Sequence, residues 1–201
     1  MLNPNLQIHV GLVSRNWNSG VVTSTIMADT YLARNKESCI SACTNVLEKL
    51  MYASGGVQAS SDLVLDYIGN GSLLASPNKV SLICHRMDEL FFVQQTEAVL
   101  RAAREGKVVV SAFVSKKENE IKNMLLREGL PVIEVVRNGF GPRYLPFRSN
   151  YDACASGRYV QISPWAYCAD TNRKLTREMC LVMNQLVRII SKTPDYWWRE
   201  G

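Results

Sequence analysis

Short apolar runs alternate with amphipathic segments along the second part of the chain. The runs predict buried parallel strands at residues 79–84, 107–112, 131–136 and 159–162. Apolar side chains at helical spacing after these runs predict a helix that follows Asp88 and further helices at residues 116–128, 148–155 and 175–191. This alternation is typical of βαβ units, so the pattern predicts an α/β fold with a Rossmann-like doubly wound parallel sheet.

Glu134 interrupts the apolar run at residues 131–136. The order 3-2-1-4 for the four predicted strands would put this run at the edge of the sheet, where a carboxylate can reach water. We therefore prefer that order and expect an exposed Glu134. A buried Glu134 would contradict it.

The first 78 residues have a less regular pattern. Alternation at residues 6–13 is compatible with a strand, residues 37–53 have the spacing of an amphipathic helix, and Ser60 begins a capping motif for a short helix that ends at Gly69. No repeat or linker separates this part from the rest. We therefore expect residues 1–78 to form a mainly helical N-terminal extension, packed on a Rossmann-like domain at residues 79–201.

Composition narrows the class of protein. Of the 201 residues, 47% are apolar and 20% are charged, which is enough for one buried core and unlike a disordered chain. No apolar run approaches the roughly 20 residues of a membrane span, and the first residues lack a basic flank followed by an apolar stretch. The six cysteines are scattered, as in proteins of a reducing compartment. We expect a cytoplasmic protein that does not bind membranes.

The positive charge is concentrated in the second part of the chain. Residues 1–78 carry 4 basic and 5 acidic side chains, net −1, whereas residues 79–201 carry 19 and 13, net +6. A loop region with several glycines and prolines holds four arginines and a single acidic residue, namely Arg137, Arg143, Arg148, Arg158 and Asp152. Guanidinium groups match the geometry of phosphate oxygens, so this basic loop is typical of a phosphate-binding surface. An ordinary solvated surface is the alternative.

Ligands of such sheets bind beyond the carboxyl ends of the strands. Hydroxyls, one imidazole, arginines and aromatic rings follow the four predicted strands there, and Ser115 and Glu118 are spaced as a helix capping box. We expect phosphate at the helix N-termini and a base stacked on an aromatic ring. Turn hydroxyls and core aromatics are the alternative. The candidate ligand-binding residues are His85, Arg86, Ser111, Ala112, Phe113, Ser115, Glu118, Arg137, Asn138, Gly139, Arg143, Ser163, Pro164 and Trp165.

Other kinds of site are disfavoured. Residues 85–88 contain none of the glycines of a dinucleotide fingerprint, and no Walker loop occurs, so we expect no cofactor. Cys39 and Cys43 have no second pair of metal ligands close in sequence, so we expect no metal. Cys84 and His85 would point to opposite faces of a strand, which disfavours a catalytic cysteine.

A series of short motifs lies between residues 65 and 192. The motifs are GN at 69–70, LL at 73–74, KVSLI at 79–83, GKVVVSAF at 106–113, Ser115 with Glu118, PVIEVVRNG at 131–139, YVQISPW at 159–165 and the closing helix with Asn184. In order and spacing they resemble the motifs of small bacterial proteins of the DNA-processing protein A (DprA/Smf) family. The resemblance implies a Rossmann-like domain of the superfamily that also includes the cytokinin-activating phosphoribohydrolases. It also implies binding of single-stranded DNA during DNA uptake, with contacts at 111–113, 137–139 and 163–165. The chain departs from the family pattern at His85, Ala112 and Met183, which make the implied pocket bulkier or less basic.

The sequence therefore predicts a protein that binds single-stranded nucleic acid or a phosphorylated nucleotide at the carboxyl ends of its strands, without catalysing a reaction. One alternative is a nucleotide-modifying enzyme, a hydrolase similar to the phosphoribohydrolases. Another is a non-catalytic scaffold that forms a homodimer through Tyr196, Trp197 and Trp198. The other interpretation of these three residues is a tail that folds back over the sheet.

Overall fold

A computed structural model of the chain describes residues 10–14, 63–84, 89–141, 144–165, 167–169 and 174–199. The strands in these residues are β1 (Val10–Ser14), β2 (Leu63–Gly69), β3 (Lys79–Ser81), β4 (Val108–Ser111), β5 (Val132–Val135) and β6 (Tyr159–Ser163). The helices are α1 (Ser72–Ala75), α2 (Glu89–Arg104), α3 (Lys116–Arg127), α4 (Ser149–Ala155), α5 (Arg177–Ser191) and a 3-10 helix (Trp197–Arg199).

The described strands form one sheet in the order β1-β2-β6-β5-β4-β3. The pairs β1–β2, β3–β4 and β4–β5 are parallel. The β5–β6 pair is parallel too, because the hydrogen bonds from Val132 N–H to Arg158 C=O and from Val136 N–H to Ile162 C=O advance along both strands in the same direction. Helices alternate with these strands, which confirms the predicted α/β, Rossmann-like fold.

The predicted strand order is wrong. β5 lies between β4 and β6 and is an internal strand, and Glu134 is buried, with 8% of its surface exposed. The carboxylate is tolerated there because it has charged and polar partners inside the protein. Lys122 Nζ of α3 lies 2.7 Å from one oxygen, and the other oxygen accepts hydrogen bonds from Tyr159 Oη and from Gln161 Nε2, the latter at 2.8 Å.

The N-terminal part also differs from the expectation. The short helix predicted to begin at Ser60 and end at Gly69 is wrong, because Leu63–Gly69 is the strand β2, paired in parallel with β1. The strand expected near residues 6–13 is present as β1 from Val10 onward. Residues 6–9 and the helix predicted at 37–53 lie outside the described residues.

The chain divides into two compact units. The first contains Met1–Ile68, Val136–Tyr144 and Ile162–Val182, and the second contains Gly69–Val135, Leu145–Gln161 and Met183–Gly201. The core of the second unit is built largely from strands β3 to β5 and the inner sides of α2 and α3, where Val80, Val99, Val109, Ile121, Leu125 and Ile133 are buried. None of the described helices is long and apolar enough to cross a membrane.

The C-terminal residues of the second unit cover the outer edge of β3, the last strand of the sheet. Ser81 N–H donates to Thr193 Oγ1 at 2.8 Å, and Trp197 Nε1 donates to the Ser81 carbonyl oxygen at 2.8 Å. Arg188 holds this segment through two hydrogen bonds to the Asp195 carboxylate, at 2.8 and 2.7 Å. The tail thus folds back over the sheet and satisfies backbone groups that an open edge would expose.

Candidate functional site

The predicted ligand residues after β4 are part of the core of the second unit. Ser111, Ala112 and Phe113 are buried, with at most 6% of their surfaces exposed. The Ser111 hydroxyl accepts a hydrogen bond from Phe113 N–H at 3.1 Å, which stabilises the turn that leaves the strand. Phe113 has a φ of +46°, and its ring lies 5.2 Å from Lys122 Nζ. These side chains therefore shape the interior and present little surface to a ligand.

Ser115 and Glu118 form the predicted capping box at the start of α3. Glu118 N–H donates to Ser115 Oγ at 3.1 Å, and Ser115 N–H donates to Glu118 Oε2 at 2.8 Å. The second carboxylate oxygen accepts from Cys84 N–H at 2.9 Å, just after β3. Glu118, only 3% exposed, therefore joins the end of β3 to the start of α3 with both of its oxygens.

The thiol of Cys84 is not prepared for nucleophilic chemistry. Burial raises the pKa of the Cys84 thiol to about 12, and the nearby Glu118 carboxylate adds to the shift. The thiol also lies 3.3 Å from Gln95 Oε1, to which it donates a hydrogen bond. Because a thiol is a poor nucleophile, this environment keeps Cys84 inert near neutral pH. The neighbouring predicted ligand residues His85 and Arg86 lie outside the described residues.

In the first unit, Asn138 connects the loop after β5 to the segment that follows Trp165. Its amide donates to Cys168 C=O at 2.9 Å and accepts from Cys168 N–H at 2.9 Å. Gly139 is buried next to it in sequence, whereas Arg137, two residues after the end of β5, is exposed. Arg143 lies outside the described residues. Arg137 is thus the predicted residue of this loop that offers a charged group to solvent.

The predicted residues after β6 are buried in the first unit. Ser163 and Trp165 have 1% and 2% of their surfaces exposed, and Pro164 is buried between them. Trp165 N–H donates to Ser163 Oγ at 3.2 Å. The hydroxyl and the indole therefore act as a turn and as core packing, and the ring has no open face for a base.

A surface around the start of α4, which we name the α4 surface, consists of Phe147, Arg148 and Tyr151 in the second unit. Phe147 is 70% exposed and Tyr151 44% exposed. The Arg148 guanidinium lies 4.6 Å from the centre of the Phe147 ring, within the range of a cation–π contact. Phe147 and Arg148 lie just before α4 and Tyr151 lies in its first turn, and all three residues are exposed.

The backbone of Arg148 has a conformation that normally requires glycine. Its φ and ψ are +47° and −123°, and the turn is closed by a hydrogen bond of 3.2 Å from Asn150 N–H to Phe147 C=O. These angles are those of the second residue in a type II′ turn, a position that favours glycine. A side chain held at such angles costs roughly 1–3 kcal/mol, and such residues are concentrated at functional sites.

Sequence reasoning found the arginines of this region and missed the aromatic residues that accompany them. The missing signal is visible in the printed sequence, where YLPFRSNY at residues 144–151 intersperses three aromatic residues with an arginine. No group of three or more metal-ligating side chains occurs within the part of the chain that the structure describes.

Comparison with known proteins finds no similar family or fold. No family model matches the chain, and neither a curated protein nor a solved structure matches it.

Proposed function

We propose that this protein binds single-stranded nucleic acid through the α4 surface and does not modify it. The observation that carries the proposal is the combination of an exposed Phe147 ring with the Arg148 guanidinium 4.6 Å away. Proteins that bind single strands without sequence preference combine aromatic rings, on which bases stack, with cations that contact the phosphates. The α4 surface has both parts within five residues of chain.

The backbone strain at Arg148 supports the proposal independently. A chain selected for stability alone would place glycine at φ +47° and ψ −123°. An arginine there presents a guanidinium at the expense of about 1–3 kcal/mol of stability. Binding of a negatively charged ligand is a reason to keep that charge in this position.

The proposal favours binding over catalysis because the candidate reactive groups described above are engaged within the protein. Both oxygens of Glu118 accept backbone hydrogen bonds, and the Cys84 thiol keeps its proton. A role in DNA processing, which the resemblance to the DprA/Smf family implies, is compatible with this activity and is part of the proposal.

The proposal is tested by fluorescence anisotropy with a labelled oligothymidylate over a series of salt concentrations. The change Phe147→Ala should weaken binding by about 1–3 kcal/mol, roughly 5- to 150-fold, because one stacking contact is lost. Arg148→Ala should weaken binding and reduce the slope of log K against log salt by about 0.7, the value for one phosphate contact on a single strand.

Two variants on α2 are the matched controls. Leu90→Ala removes another exposed apolar side chain, which is 65% exposed, and Arg101→Ala removes another exposed arginine. Both should bind the oligonucleotide as the unmodified protein does. Absence of salt-dependent binding in the unmodified protein, or equal weakening by the α2 variants, would refute the proposal. The oligonucleotide should be recovered intact, whereas its cleavage would favour an enzyme.

A further inference from the structure

A groove of about 160 Å³ adjoins the α4 surface in the second unit. Its walls come from the end of α3, from α4 and from the residue before β6. They consist of Leu126, Gly129, Leu130, Ser149, Asp152, Ala153 and Arg158. The volume is below the roughly 300–1,000 Å³ of sites for drug-sized ligands, so the groove suits a flat group as small as one nucleobase.

Opposite charges line this groove without pairing. Asp152 and Arg158 are both exposed, and the Asp152 carboxylate forms no ion pair with the Arg158 guanidinium, although both residues lie in the described part of the chain. Arg158 is held from one side by a hydrogen bond from its Nε to Ser156 Oγ at 3.2 Å. The groove therefore presents hydrogen-bond acceptors on one wall and donors on another.

Gly129 makes the position of Arg158 possible. A Cβ atom at residue 129 would lie 2.6 Å from Arg158 Nη1 and 2.9 Å from its Cζ, so any side chain would displace the guanidinium. The φ of Gly129 is +66°, which also favours glycine at the end of α3. Leu126 and Leu130 provide the apolar part of the lining that the flat face of a base requires.

We propose that this groove holds a guanine base of the single strand bound on the α4 surface, an inference that rests on the proposed function. Guanine presents acceptors at O6 and N7 and donors at N1 and the exocyclic N2 along adjacent edges. Arg158 donates to O6 and N7, and Asp152 accepts from N1–H and N2–H. Thymine, cytosine and adenine each lack part of this pattern, so the groove is selective for guanine.

Position along the chain supports one continuous binding path. Ser149 and Asp152 of the groove are next in sequence to Arg148 and Tyr151 of the α4 surface. The proposed path runs from the Phe147 ring along α4 to the groove, which takes the nucleotide next to the stacked base.

The test compares an oligothymidylate with the same oligonucleotide carrying one central guanine. The unmodified protein should bind the guanine-containing strand about tenfold more tightly, the size of preference that a good bidentate base contact gives. Replacement of that guanine by inosine, which lacks the N2 amine, should lower the preference, and so should 7-deazaguanine, which lacks the N7 acceptor. Adenine at this position should bind no better than thymine.

Protein variants assign the preference to the groove. Asp152→Ala and Arg158→Ala should each abolish the preference for guanine, and Gly129→Ala should reduce it by displacing Arg158. Glu97→Ala and Arg101→Ala, at exposed positions of α2, are matched controls that should retain it. Equal affinity of the unmodified protein for both strands, or a preference that survives in Asp152→Ala and Arg158→Ala, would overturn the inference and leave the proposed function standing. Failure of both strands to bind would instead overturn the proposed function.

Discussion

Replacing Arg148 by glycine should give a more stable protein than replacing it by alanine. Elsewhere the opposite holds, because glycine loses more conformational freedom on folding than alanine does. At residue 148 the φ of +47° and ψ of −123° strain any side chain, alanine included. Both substitutions remove the guanidinium from the Phe147 ring, so the cation–π contact is lost equally and cancels in the comparison.

The expected difference follows from two opposing contributions. Removing the Cβ atom relieves roughly 1–3 kcal/mol of backbone strain. Glycine's additional chain entropy in the unfolded state costs about 0.5–1 kcal/mol. Arg148→Gly should therefore exceed Arg148→Ala by about 1 kcal/mol in free energy of unfolding. Because m-values for urea are about 1–3 kcal/mol/M, the midpoint of unfolding should differ by roughly 0.5 M.

Urea unfolding followed by far-UV circular dichroism measures this difference directly. The control is the same pair of substitutions at Arg101, an exposed position within α2, where glycine should be the less stable by about 1 kcal/mol. The two positions should thus show opposite signs. An Arg148→Gly protein that unfolds at a lower urea concentration than Arg148→Ala would refute the assignment of strain to this residue. It would also remove one of the two supports for the proposed function.

Three further predictions concern the interior and the sheet edge. Truncation after Lys192 removes Thr193 and Trp197, the hydrogen-bond partners of the Ser81 N–H and C=O, and opens the edge of β3. Because an open edge can pair with another chain, the mass measured by light scattering should increase, and an unchanged mass would contradict this role of the tail. Lys122→Met should cost about 3–5 kcal/mol because the buried Glu134 carboxylate loses its charged partner and keeps only the hydrogen bonds from Tyr159 and Gln161. Adding Glu134→Gln should recover part of that loss, whereas additive losses would refute a coupled pair. Burial raises the pKa of both the Cys84 and the Cys154 thiol from 9.0 to about 12, so their contribution to the free energy of unfolding is complete below pH 9 and declines as the pH rises toward 12. Between pH 9 and 12 the Cys84→Ala variant should therefore lose stability less steeply than the unmodified protein. An identical pH dependence of the two proteins would contradict the shift at Cys84.

The features that sequence predicted well are those decided by neighbouring residues. The capping box of Ser115 and Glu118 was predictable because both partners lie within one turn of helix. The apolar runs of β4 and β5 were predictable because a strand buried on both faces consists mostly of apolar side chains. In each case residues close in sequence determine the local structure, and contacts distant in sequence do not change it.

Strand order failed because it depends on partners far away in sequence. Glu134 indicated an edge strand, since an isolated carboxylate must reach water. Its partners Lys122, Tyr159 and Gln161 are separated from it by 12, 25 and 27 residues, and no local pattern reveals that they converge. The strand β2 was predicted as a helix for a related reason. The capping residues before it and Gly69 at its end resemble helix ends, whereas its pairing with β1 decides the structure.

In the candidate site, too, local sequence signals and tertiary contacts point to different roles for the same residues. The difference decides where a ligand can bind. Polar residues in the segments that follow the strands look like ligands in sequence. Glu118, in the first turn of α3, and Asn138, in the loop after β5, instead use their polar groups to hold chain segments together. Such residues are needed because loops at the carboxyl ends of strands leave backbone groups that must be satisfied. In the α4 surface the Phe147 ring and the Arg148 guanidinium are exposed and contact each other, and the strain at Arg148 makes the fold less stable. Groups that reduce stability and face solvent are the ones that a binding function explains, so the α4 surface is a better location for the nucleic acid than the buried turns after β4 and β6.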